Sequence, residues 1–224
     1  MGEPASIPTD AELARAIAPP PPHAAPGPPR LGAMISGGGR TILNLLDAIE
    51  GGDLDAAIPV AIASRGCPGV ERLRARGVEV RVMPGDLDER AVCALVAEFG
   101  LSWIVLGGYL RRVPVPAGLR GRIVNIHPAL LPAFGGPGMF GDRVHAAVLA
   151  AGARESGCTV HLCDDEYDRG PIVLQRRCGV EPGDTAESLA ARVFEQECIA
   201  YPEALQRLFA LPVSGMSPPE ETPA

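Results

Sequence analysis

The chain of 224 residues is poor in features that would place it outside a soluble globular class. No apolar run reaches the roughly 18 residues that a membrane-spanning helix needs. The opening MGEPASIPTD has neither a basic n-region nor an apolar h-region, so it does not read as a secretory leader. No Cys-x-x-Cys pair occurs among the six cysteines, which argues against a zinc ribbon or a redox dithiol. Cys67, Cys93, Cys158, Cys163, Cys178 and Cys198 therefore read as reduced, buried thiols of a cytoplasmic protein. Basic clusters are absent, and 20 basic residues face 27 acidic ones for a net charge of −7. That balance excludes a nucleic-acid surface.

What is present fits one folded domain with tails. Residues 1–30 are rich in Pro and Ala, with prolines at 19–22, and residues 212–224 have a similar character. Segments with so few core-forming residues are expected to be disordered, which leaves a domain over 31–211. Within it, short apolar runs alternate with helical periods. LGAMI (31–35) is followed by a helix over 41–50 with apolar residues at Ile42, Leu45, Leu46 and Ile49. AAIPVAIAS (56–64) is a buried strand, with Pro59 pointing to an edge or a late start. Helix 69–77, strand 78–83, helix 86–99, strand 102–108 and the run RIVNIHP continue the alternation. Near-continuous apolar strands separated by helices indicate a mostly parallel α/β sheet with helices on both faces, a Rossmann-like arrangement. After residue 140 come a helix (142–152), two strands (157–163 and 171–180) joined by a short turn, and a long helix (184–209). That pair is expected to be antiparallel.

Three stretches carry chemistry. SGGGRT, Ser36 to Thr41, lies between a strand and a helix. Its glycines allow close approach of a ligand, and the helix that follows presents free N–H groups to a phosphate. It matches neither a Walker loop nor G-x-G-x-x-G, so it also reads as an ordinary glycine-rich turn. Asn125 and His127 end the run IVNIH, where open α/β sheets bind ligands. A His there can move protons near neutral pH and an Asn can donate to an oxyanion, although a His after a strand is in isolation more often a hydrogen-bonded structural residue. DDEYDRGPIVLQ (164–175) opens with clustered acids, which either orient an imidazole or form a solvated loop.

Taken in order, SGGGRT, N-I-H-P-x-L-L-P, G-C-T-V-H and D-x-G-P-I-x-L-Q resemble the phosphoribosylglycinamide formyltransferases, the folate-dependent enzymes of purine biosynthesis. The resemblance covers about 31–210. It implies Asn125, His127 and Asp168 as the catalytic trio. It implies that Ser36, Gly37, Gly38, Gly39, Arg40 and Thr41 hold the substrate phosphate and that Glu197 contacts the substrate. Arg90, Leu110, Arg111, Arg112, Val113, Asn125 and Asp164, Asp165, Glu166, Tyr167 and Asp168 would line the site of 10-formyltetrahydrofolate. No metal is implied. The partners implied are the two small molecules, without nucleic acid or membrane, for a monomer or homodimer. His127 would act protonated, kept charged by Asp168. Thr41 stands where the family often has Asn, and Arg112 where an apolar residue is common. The longer loop 133–145 is glycine-rich. His161 reads as a structural residue in a strand, and His145 either reaches the site or caps its helix. Formyltetrahydrofolate hydrolases and methionyl-tRNA formyltransferases share the trio but carry additional domains. A folate- or nucleotide-binding regulator without catalysis is the remaining alternative.

Overall fold

The computed structural model describes residues 6–212. The alternation of apolar runs and helical periods becomes one seven-stranded sheet in the order β3-β2-β1-β4-β5-β6-β7. Its strands are β1 (Arg30–Ile35), β2 (Ala57–Ala63), β3 (Glu79–Val82), β4 (Trp103–Leu106), β5 (Ile123–His127), β6 (Glu155–Leu162) and β7 (Ile172–Gly179). The first five are parallel to one another, β6 pairs antiparallel with β5, and β7 pairs antiparallel with β6. The helices are α1 (Asp10–Ala16), α2 (Arg40–Glu50), α3 (Pro68–Ala75), α4 (Glu89–Phe99), α5 (Asp142–Ala150) and α6 (Ala186–Phe209).

Pro59 sits in β2, which is an interior strand rather than an edge. It is tolerated because the β1–β2 register shifts there and pairing to β3 begins only at Val60, so no ladder bond needs its missing N–H.

Period-2 alternation splits the strands between two cores. Leu31, Ala33 and Ile35 of β1 and Val124 and Ile126 of β5 pack under α2, α3, α5 and α6. Met34, Ile104 and Ile123 point to the opposite face, beneath α4 with Val92, Leu95 and Val96. Among the described residues that second core has no member from β6 or β7. Asn125 and His127 share its side of β5, beyond the cover of α4. That uncovered half-face is where polar side chains can stand.

The expectation of a structureless segment over 1–30 is not met for residues 6–30. Thr9 and Glu12 form a capping box that starts α1. Leu13 and Ile17 are buried in the larger core. The chain then runs across the amino ends of the strands. Arg122, itself buried, donates through Nε to the carbonyl of Ala18 at 2.7 Å, and the Ala18 N–H donates to the Arg120 carbonyl at 2.8 Å. Gly121, at φ +69, lies against the carbonyl of Ala16, where no Cβ would fit. Arg207 of α6 reaches Asp10 at 2.7 Å. Two apolar residues one helical turn apart and a cap are enough to dock a short helix once a core is present to receive it. Residues 213–224, the greater part of the expected second tail, lie outside the described residues.

Candidate active site

Beyond the carboxyl ends of β1, β4 and β5 lies a cavity of about 470 Å³. Strand order reverses between β1 and β4, the place where open α/β sheets bind ligands. Gly37 to Thr41, Leu110 to Val113, Asn125, His127, Asp164 to Asp168 and Glu197 all line it. Most of the residues expected at the site are therefore brought together by the topology.

The glycine loop turns from β1 into α2. Gly39 is the residue before the helix, with φ +69, and it closes against Gly69 at the start of α3. No side chain caps α2, so its first N–H groups face the cavity end, ready for an anion. Arg40 stacks over the Phe194 ring at 4.0 Å. Arg72 of α3, which the motif reading missed, also lines the cavity and donates to the Gly38 carbonyl at 3.2 Å. Ser36 departs from expectation. It is buried beneath the loop, and its hydroxyl bonds Ser64 at 2.6 Å and accepts from the Leu110 N–H at 2.9 Å. Its role is to join β1, β2 and the segment after β4, not to reach a ligand.

Arg90 departs too. It is exposed in the first turn of α4, outside the cavity-lining residues, because α4 turns Val92, Leu95 and Val96 inward. Cys93 on the same helix is exposed and Cys67, Cys163, Cys178 and Cys198 are half-buried, so of the six thiols expected to be buried only Cys158 is fully so.

Asn125 and His127 lie two apart on β5, so both project to one face. The neighbouring strand adds His161, opposite Asn125 in the register. The Asn125 amide donates to His161 Nε2 at 3.1 Å, and His161 Nδ1 donates to the Leu162 carbonyl at 3.1 Å. His161, expected as a structural residue in a strand, is buried and hydrogen-bonded in β6, and its ring also lines the cavity and holds the Asn125 amide. An amide has two N–H hydrogens, so one remains for a ligand.

His127 is almost fully buried. Its Nε2 donates to the Phe134 carbonyl at 2.8 Å, which defines the tautomer. Nδ1 then faces Asp168 Oδ2 at 3.6 Å, an acceptor toward an acceptor while the ring is neutral. Burial pulls the His127 pKa below its usual value and outweighs the opposing pull of Asp168. In the free protein burial thus works against the charged imidazole that Asp168 favours. Burial also pulls Asp168 upward, but His161, His127 and the Gly136 N–H at 2.9 Å together hold its carboxyl below the ordinary value. Phe134 and Asp168 are the two non-glycine residues with positive φ among the described residues. Both touch this network, which is where unusual backbone tends to be retained. The segment after His127 is tied down as well: Thr159 donates to the Ala129 carbonyl at 2.7 Å and accepts from the Leu131 N–H at 3.0 Å.

Glu197 reaches the cavity from α6. That helix is pinned by buried Tyr201, whose hydroxyl lies 2.9 Å from the Val124 carbonyl and 3.1 Å from that of Leu106. Burial raises the Glu197 carboxyl to about 7, with Arg40 opposing. No group of three or more metal-ligating side chains occurs among the described residues. Nor is any described helix long and apolar enough to cross a membrane.

Comparison with known proteins agrees with this geometry. The formyl transferase family pattern matches residues 30–205. A chloroplastic phosphoribosylglycinamide formyltransferase of Vigna unguiculata is 39% identical over 188 residues. That match takes in 80% of this chain but 60% of the relative, so the chain spans under two thirds of that relative's length. The solved glycinamide ribonucleotide transformylase 1 of Symbiobacterium toebii superposes with a TM-score of 0.72 at 34% identity, covering 84% of this chain and 89% of that one. Phosphoribosylglycinamide formyltransferase from Brucella melitensis gives 0.72 at 35%, covering 85% and 98%. A family pattern that runs from β1 into α6, across every element that lines the cavity, makes this chain a member of the formyl transferase family.

Proposed function

We propose that the protein transfers a formyl group from 10-formyltetrahydrofolate to the amine of N1-(5-phospho-D-ribosyl)glycinamide, as a cytoplasmic step of de novo purine synthesis. The observation that carries this reading is one continuous cavity with three chemically distinct parts. The glycine loop with Arg40 and Arg72 suits a phosphate, the trio stands between, and Leu110 to Val113 with Asp164 to Asp168 offers a mixed apolar and polar wall for a folate. Both substrates are small molecules, and the reading involves no nucleic acid, membrane or resident metal. The active form is a monomer or homodimer.

The mechanism follows from the donors. The substrate amine attacks the formyl carbon, and the carbonyl oxygen becomes an oxyanion. The free N–H of Asn125 points into the region where that charge develops. The attacking nitrogen, now cationic, loses a proton to His127 Nδ1. The imidazolium so formed pairs with the Asp168 carboxylate through Nδ1, and its positive charge favours the oxyanion at short range. Collapse of the intermediate breaks the bond from carbon to N10 of the folate, and His127 returns the proton to N10. Asp168 accepts no net proton across the cycle; its carboxylate makes the imidazolium accessible in a buried site.

The test is incubation with 10-formyltetrahydrofolate, with and without glycinamide ribonucleotide. Release of tetrahydrofolate only when the ribonucleotide is present is the expected result. Release without it would instead support a hydrolase, and no release in either case would support a binding protein.

A further inference from the structure

His145 lies on α5 in the second turn and lines the cavity, yet the mechanism above leaves it idle. The residue is 3% exposed. Its Nδ1 is sealed from solvent and has no hydrogen-bond partner among the described residues. A buried polar atom without a partner costs stability, and such groups persist where a ligand completes them. Three charged or titratable groups act on the ring: Asp142 one turn earlier, Arg40 of the glycine loop, and His127. Arg40 belongs to the phosphate end of the cavity and His127 to the reacting end. His145 is on the cavity wall within electrostatic reach of both, where a ligand that spans the two ends can meet it.

The chemistry of the ring narrows what it takes. Burial keeps the imidazole below its ordinary pKa, so it is neutral near pH 7, with one donor and one acceptor nitrogen. A neutral ring of that kind matches hydroxyl and amide groups, which both give and accept, better than it matches a phosphate. We propose that His145 is a substrate-binding residue that holds the uncharged middle of the ribonucleotide, its ribose hydroxyls or its glycyl amide. This inference rests on the reading of the cavity given under the proposed function.

His145→Phe keeps the ring shape and removes both nitrogens. The expected result is a KM for glycinamide ribonucleotide raised about tenfold or more, the scale of one lost hydrogen bond to a buried group. The folate KM and kcat should stay within about twofold, and the melting temperature should hold or rise because an unsatisfied atom has gone. His145→Asn, which restores a donor and an acceptor, should recover part of the affinity. On the wild-type protein, the imidazole ¹⁵N signals of His145 should shift when glycinamide ribonucleotide is added without folate. An unchanged KM in His145→Phe, with ¹⁵N signals indifferent to the ribonucleotide, overturns the assignment while wild-type turnover stands. If His145→Phe fails to fold, the wild-type ¹⁵N measurement decides. Wild-type protein that neither formylates nor binds the ribonucleotide overturns the underlying reading and this inference with it.

Discussion

Asn125 and His161 face each other across the β5–β6 pairing, and the amide donates to the ring nitrogen at 3.1 Å. Under the proposed mechanism the imidazole is a positioning group: it engages one amide hydrogen of Asn125, leaving the other for a ligand, and its Nε2 also lies 3.5 Å from Asp168. His161→Phe fills the same space without an acceptor. The expected outcome is a fall in kcat of about tenfold to a hundredfold, somewhat less than the loss of an oxyanion donor itself. KM values for both substrates should change little. Steady-state kinetics with each substrate varied in turn checks this, and a loss confined to KM would show that Asn125 does not depend on the ring.

Asp168→Asn removes the carboxylate that pulls the His127 pKa upward, so the imidazole pKa should fall further below its usual value. The limb of the pH–rate profile that reports His127 should therefore move to lower pH. At pH 7.5 we expect kcat to drop by about a hundredfold or more, since general acid–base catalysis contributes on that scale. A profile with its limbs in place would mean that Asp168 and His127 are not electrostatically coupled during turnover.

Glu197 carries a stability signature of its own. Its carboxyl titrates near 7 in the folded protein, above the 4.5 of an unperturbed Glu. Between those two values the native state binds the proton and the unfolded state does not, so stability falls as pH rises through that window and levels off above it. The full penalty is of order 3 kcal/mol, at 1.36 kcal/mol per pKa unit. Glu197→Gln should accordingly raise the melting temperature at pH 8 by several degrees and hardly alter it at pH 4.5. Thermal unfolding at the two pH values measures the difference, and equal shifts at both would rule out a titration origin.

Leu13 is wholly buried in the larger core although it belongs to the segment ahead of β1. Leu13→Ala should destabilise the fold by about 2–5 kcal/mol, the usual cost of a buried leucine. Deletion of residues 1–30 should lower the melting temperature by several degrees or more, because it also strips the partners of buried Arg122, whose pKa burial already pulls down to about 10. Differential scanning calorimetry of both variants is the check. A deletion variant as stable as the full chain would mean that the docked segment contributes nothing net.

Much of the molecule was readable before any coordinates. Every strand and helix from β1 to α6 lies within a few residues of where hydrophobic periodicity put it, because each buries a face whose period the sequence spells out. The glycines before α2 and the Asn125–His127 spacing on one strand face are local facts, and local facts survive in a linear reading. The docked residues 6–30 escaped it, since prolines and alanines dominate the composition and the anchoring residues Leu13 and Ile17 are few.

The order of residues along the chain determined the elements, the parallel-then-antiparallel sheet and the motif positions, since propensity and periodicity act over neighbours. Only the tertiary structure decided the rest. It set His161 against Asn125 from a different strand, withdrew Ser36 beneath its own loop, turned Arg90 out to solvent and brought Arg72 to the glycine loop. Proton affinities were shifted there as well. The burial that lowers the His127 pKa and raises that of Glu197 comes from packing among residues far apart in sequence, and desolvation has no trace in a string of letters.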